Sequence, residues 1–336
     1  MILVNKGIVI SLAVLILFCS GAAVADAHVK WFTDVVPEKE TIIGILSPLF
    51  MGIALFVAVL LAVLTQVLPL LSKWKLMLKV DNKLDQMRRY SILILKYGLA
   101  AALLIQVVSG SLFVPEFEIS SQLESILLWS AIILLLIPHH WATKAGALVT
   151  LWLLVKLLLA VGLFHMLDYG FYLAIIVALL LEKTKVQNWG MPFLYLATGL
   201  SLCWVAVEKW VFPTMALDII ENHGVPTFGF APAAFVVMAA FIEFVVGYLL
   251  VVGILNRLLS IVLTGIFIST TMLFGMTELV GHFMIHIVLI IFIIEGVSFY
   301  KPPVEMHKRK LDQMIFISLN FLFALSLFLL IYYRFA

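Results

Sequence analysis

The chain has 336 residues, of which 64% are apolar and only 12% charged; its formal net charge is +2 and its mean hydropathy +1.19. A soluble domain carries roughly a quarter charged residues, so this composition excludes an ordinary soluble enzyme, a disordered chain and a nucleic-acid binder with a basic face. The apolar runs are long and unbroken, unlike the alternating strands of a membrane barrel, and predict an all-α polytopic membrane protein.

Residues 1–27 have the layout of a secretory signal peptide. Lys6 supplies a basic start, Gly7 to Cys19 an apolar stretch, and Ser20 to Ala27 a small-residue segment ending Ala-Asp-Ala. An uncleaved anchor helix is the alternative. Cleavage after Ala27 would place His28 at the new N-terminus. There its amine and imidazole can chelate one metal together, in the nitrogen geometry that suits Cu(II). That arrangement resembles the histidine brace of copper monooxygenases and of some periplasmic copper-binding proteins; chance exposure of a histidine is the competing reading. Cys19 and Cys203 both fall in apolar runs, so neither a disulfide framework nor a thiolate metal site is expected.

Residues 28–41 then form an outer N-terminal segment. Ten spans of suitable length follow, near 42–70, 90–113, 123–139, 145–165, 170–182, 191–212, 231–254, 258–275, 279–297 and 312–333. With the mature N-terminus outside, the inner loops carry fourteen Lys and Arg residues, whereas the outer segments carry Lys30, Lys39 and Arg334. This asymmetry fits the positive-inside rule. It predicts a bacterial inner-membrane protein with both mature termini on the periplasmic side, and makes Ser72 to Arg89 an inner amphipathic anchor.

The spans group as a first helix with its basic linker (42–89), two four-helix blocks (90–187 and 188–297), and an inner loop with a last span (298–336). A shift of 113 positions pairs Lys144 with Arg257, Gly162 with Gly275 and Glu182 with Glu295, the pattern of a parallel repeat. Chance matching is the alternative.

The second block holds Gly199, Glu208-Lys209-Trp210-Val211-Phe212-Pro213, and a helix running from Glu243 through Gly247 and Gly253 to Arg257, with His282 in its fourth span. In these features it resembles the DoxX-like family of small four-helix membrane proteins. The resemblance covers under a third of the chain. It implies a membrane redox context, since some members are subunits of thiosulfate:quinone oxidoreductases. In the first block Ser130 stands where Glu243 would align, which suggests a degenerate, structural copy.

Ionisable residues inside a bilayer cost at least about 2.5 kcal/mol each and normally mark partners or function. Glu278, His282 and His286 recur every four residues and share one helix stripe. Glu243 lies at a depth comparable to His286, so the two are expected to pair. Glu208 and Lys209 lie about a turn below the outer surface, either as an interfacial ion pair or as part of a site. Lys156 is deep in the fourth span, with no evident partner. Asp218, Glu221 and His223 fall in the outer loop before the seventh span, and His165 and Asp168 follow the fourth. The loop from Pro213 to Pro232 is either a lid over the bundle mouth or an ordinary outer loop.

Three functions follow. The first is a redox subunit with a quinone or metal beneath the outer face, Glu243, His282 and His286 acting as proton or metal partners and Glu208, Lys209 and Glu278 binding the cofactor. The second is a copper-handling protein, binding or transporting the metal, using His28 with His223 or His282. The third is a non-catalytic scaffold presenting residues 28–41 to periplasmic partner proteins. Quinone and copper are the cofactors these readings imply; the bilayer and membrane or periplasmic redox proteins are the partners, and nucleic acid is not one.

Overall fold

The computed structural model describes residues 29–71, 75–296 and 309–336. The expected signal peptide and His28 lie outside the described residues. The chain is built of helices: α1 (Pro48–Leu71), α2 (Lys75–Asp85), α3 (Ser91–Ser109), α4 (Gln122–Leu136), α5 (His140–Val161), α6 (Gly170–Leu181), α7 (Gly190–Val211), α8 (Pro213–His223), α9 (Pro232–Val252), α10 (Asn256–Phe274), α11 (Met276–Glu295) and α12 (Lys310–Phe335). Each of the ten expected spans is a helix. Nine helical stretches among the described residues are long and apolar enough to cross a membrane, while α4, at 15 residues, is shorter. The sixth helix reaches span length because the turn Leu163–Met166 continues into it.

Side-chain placement follows the solvent. Leu148, Trp152, Val155 and Leu159 on α5 and Phe323, Leu327 and Leu330 on α12 are exposed, as lipid-facing residues of a span are. Ionisable side chains turn inward instead, where partners satisfy them. The multi-pass membrane architecture expected from composition is therefore the architecture observed.

Helices of the first block pack in series, α3 on α4, α4 on α5 and α5 on α6. In the second block α7 packs on α9 and α10 on α11. The blocks meet where α7 lies on α6 and α11 on α3, and α12 packs on α1 and α7. At the crossing of α7 and α9 a Cβ on Gly199 would lie 2.6 Å from the Gly247 carbonyl oxygen, and one on Gly247 would lie 2.7 Å from that of Gly199. Only glycine permits this backbone approach, the small-residue packing by which membrane helices associate. The landmark glycines Gly162 and Gly275 both have positive φ (+86° and +71°), and both stand between one helix and the next.

Two local elements depart from the expected loops. Residues 111–118 form a small antiparallel hairpin, Ser111–Leu112 against Val114–Glu118. Its turn residue Phe113 adopts a left-handed backbone, and Tyr172 donates a hydrogen bond to the Phe113 carbonyl at 2.7 Å. The segment after Pro213 is not a loop but helix α8. Proline stands at its first turn, where a missing N–H costs nothing, and Met215, Ala216, Ile219 and Ile220 form its buried face. That i, i+1, i+4, i+5 spacing makes α8 an amphipathic helix. His139 caps α5, its Nδ1 accepting from the Trp141 N–H at 3.3 Å.

Candidate functional site

By connectivity one end of the bundle gathers residues 29–47, the hairpin, the turn at 162–169, α8 and the C-terminus. Here the N-terminal segment is held against its own helices. Lys30 lies 2.6 Å from Asp168 and 2.7 Å from Glu208. The Trp31 ring packs so closely on α11 that a Cβ on Gly281 would overlap it. Thr33 donates to Asp218 at 2.6 Å, the Glu40 N–H to the Val211 carbonyl at 2.8 Å, and Lys39 to the Tyr333 carbonyl at 2.6 Å.

Beneath this segment four ionic groups come together. In the first, the Lys30 ammonium is shared by Asp168 and Glu208, both buried, and Tyr332 of α12 donates to Glu208 at 3.2 Å. Burial opposes charge on Lys30, but the two carboxylates outweigh it and hold the ammonium proton above the usual lysine range. In the second, Lys209 pairs with Glu243. In the third, His282 Nδ1 lies 2.8 Å from Glu278 Oε1, and that oxygen accepts a hydrogen bond from Thr270 at 2.5 Å. The His282 ring stacks on Phe267 with centroids 4.5 Å apart and lies 5.0 Å from Trp31. In the fourth, Glu116 of the hairpin is paired with His165 and accepts from Tyr169 at 2.5 Å and from Trp31 at 3.2 Å. Burial penalises the Glu116 charge, yet the bonds from His165 and Tyr169 hold its carboxyl below the ordinary carboxylate range.

A cavity of about 30 Å³ lies among these groups, lined by Asp168, Thr198, Ser201, Glu243 and His282 under the Trp31 ring. Several buried oxygens have no hydrogen-bond partner: Asp168 Oδ1, Thr198 Oγ, Glu208 Oε2 and Glu278 Oε2. The volume suits about one water molecule, and the polar lining can satisfy one.

The sequence expectations fare unequally. Glu243 and His282 do line one space. His286 is half-buried, edge-on to Phe267 at 6.0 Å, and does not line the cavity. The partner expected for Glu243 was His286; the structure places the Lys209 ammonium there. Glu208 and Lys209 do not pair with each other, because consecutive helix residues do not face one another; they reach Lys30 and Glu243 instead. Lys156 finds Glu124 at 2.5 Å, whose carboxylate also completes the capping box at the start of α4.

A quinone ring does not fit a one-water space. For copper, no group of three His, Cys, Asp or Glu residues among the described ones is placed to hold a metal ion. His223 lies against Phe32 and Phe274 with Nε2 3.1 Å from the Phe32 carbonyl, while His282 is enclosed by Trp31 and Phe267. Neighbouring residues of one segment thus engage different histidines.

Lys30, Glu116, His165 and Asp168 are the ionisable members of this centre not singled out from sequence as site residues. Their signal was ionisable residues bordering apolar spans, and only partner geometry separates such residues from ordinary surface charge. No family model, curated protein or solved structure matches this chain.

Proposed function

We propose that the chain is a DoxX-like protein of the bacterial inner membrane that holds and passes protons for a membrane redox assembly, at a buried centre near the periplasmic face. The observation that carries this reading is the charge count around the 30 Å³ cavity. Among the described residues of the centre five carboxylates (Glu116, Asp168, Glu208, Glu243, Glu278) face two lysines (Lys30, Lys209) and two histidines (His165, His282). With both imidazoles protonated, one carboxylate still lacks a countercharge; with both neutral, three do. Isolated buried carboxylates are too costly to stay ionised, so the centre retains protons at neutral pH. A single water filling that space would meet Asp168, Glu243 and His282, members of three of the ion pairs, and relay a proton between them.

Neither a quinone nor a copper ion is given a place in this reading: the space at the centre is too small for a quinone ring, and no three ligand residues among the described ones are placed to hold a metal ion. Presentation of residues 28–41 to a partner is weakened by the use of Lys30, Trp31, Thr33 and Lys39 in intramolecular contacts.

The test is infrared difference spectroscopy of the protein in liposomes, titrated across neutral pH. A protonated-carboxyl band is expected at neutral pH, altered in Glu243→Gln. In membranes carrying the assembly, quinol-dependent electron transfer should fall at least about a hundredfold in Glu243→Gln, the low end for a lost proton-transfer group, and stay unchanged in Ser130→Ala. Absence of the band removes the proton-binding reading; equal rates in wild type and Glu243→Gln remove the redox assignment.

A further inference from the structure

At the opposite end of the second block, α7, α9 and α12 enclose a second and much larger cavity, about 620 Å³. Its walls are mainly apolar, with Leu200, Phe244, Val251 and Phe328 among them. Leu196 and Leu200 on its rim are exposed, so it opens sideways to the bilayer. A volume in the range of about 300–1,000 Å³ suits a small-molecule ligand, and here the surrounding medium is lipid.

Polar groups inside it are not explained by packing. Asn320 is exposed on α12, ten residues from the helix start and so about 15 Å along it. Its Oδ1 accepts from Tyr248 at 2.7 Å, and no described residue accepts from its Nδ2. Asn256 is 3% exposed, and its Oδ1 has no hydrogen-bond partner. Amide groups left unpaired in hydrocarbon cost several kcal/mol. At the same end Trp189 is exposed at the cavity rim, and Lys183 and Lys185 stand in the turn just before it. Exposed tryptophan and lysine together are the side chains that meet a lipid headgroup.

We propose that this cavity holds one anionic ester phospholipid. Its acyl chain lies between α7, α9 and α12, an ester carbonyl accepts from the Asn320 amide, and the phosphate is met by Lys183 and Lys185. The apolar walls, the interior amide donor and the basic rim each match one part of that molecule.

Native mass spectrometry of delipidated protein in detergent tests this, with phosphatidylglycerol, its ether-linked analogue and a short-chain ubiquinone as probes. One phosphatidylglycerol per chain is expected. Both Asn320→Leu and replacement of the ester by the ether should weaken binding about tenfold, the worth of one hydrogen bond, and Ala324→Phe, which projects a ring into the space, should weaken it as well. Thermal unfolding of Asn320→Leu checks that the fold persists. Equal phosphatidylglycerol binding by wild type and Asn320→Leu, or tighter binding of the ubiquinone than of the phospholipid, overturns the proposal.

Discussion

Replacing Lys30 with methionine removes the cation between two buried carboxylates and keeps most of the aliphatic stem. Asp168 is 2% and Glu208 1% exposed, and Lys30 is within 2.7 Å of both. Breaking a buried ion pair from one side costs about 3–5 kcal/mol. The lysine side chain is itself one-fifth exposed, so solvent screening places the expected loss near the lower end, about 3 kcal/mol. Unfolding of the purified protein by a denaturing detergent measures it. The pattern across variants matters more than the size of one effect. Asp168→Asn in the Lys30→Met background removes one of the two stranded charges, so the double variant should be more stable than the sum of the single changes predicts, by the 0.5–3 kcal/mol typical of contacting residues. Lys30→Arg should retain most of the stability. Wild-type stability in Lys30→Met, or simple additivity in the double variant, refutes the placement of Lys30 between these carboxylates.

Three further outcomes are expected. Gly281→Leu drives a side chain into the Trp31 ring; it should cost about 1–3 kcal/mol, as overpacking does, and increase protease cleavage within residues 29–41, and unchanged cleavage would show that Trp31 is not seated there. Gly199→Leu pushes against the Gly247 carbonyl and should lower the thermal midpoint more than Gly52→Leu, where nothing lies within 4 Å. Because the folded state holds the Glu116 carboxyl below its ordinary value of 4.5, its stabilisation is complete above that value and disappears as pH falls through the lower folded value; Glu116→Gln should flatten the acid limb of stability against pH below about 4.5, and an acid limb identical to wild type would contradict the His165 and Tyr169 contacts.

The spans were legible because lipid leaves only one reading of twenty unbroken apolar residues. Helix α8 was missed for want of length: eleven residues rich in apolar side chains between two prolines read equally as a loop. The site was legible by depth and not by direction. Helical periodicity put Glu278 and His282 on one stripe, and they are in contact. It also put Glu243 and His286 at one depth, but depth does not say which helices adjoin, and Lys209 of α7, packed on α9, reaches Glu243 first. Glu116 was beyond reach for another reason: its position depends on a left-handed turn at Phe113, which no local pattern announced.

The first block was expected to be a structural copy because Ser130 replaces the glutamate of the second. Ser130 is indeed outside the centre, donating only to its own helix at Ile126. Yet the first block supplies Glu116, His165 and Asp168, and Asp168 lines the same cavity as Glu243 and His282. A lysine before the first span joins the blocks electrostatically, since Lys30 pairs with Asp168 of one and Glu208 of the other. Two carboxylates brought together from separate four-helix units would repel across the seam between α6 and α7. The ammonium turns that repulsion into attraction, so the short N-terminal segment belongs to the centre as much as either block does.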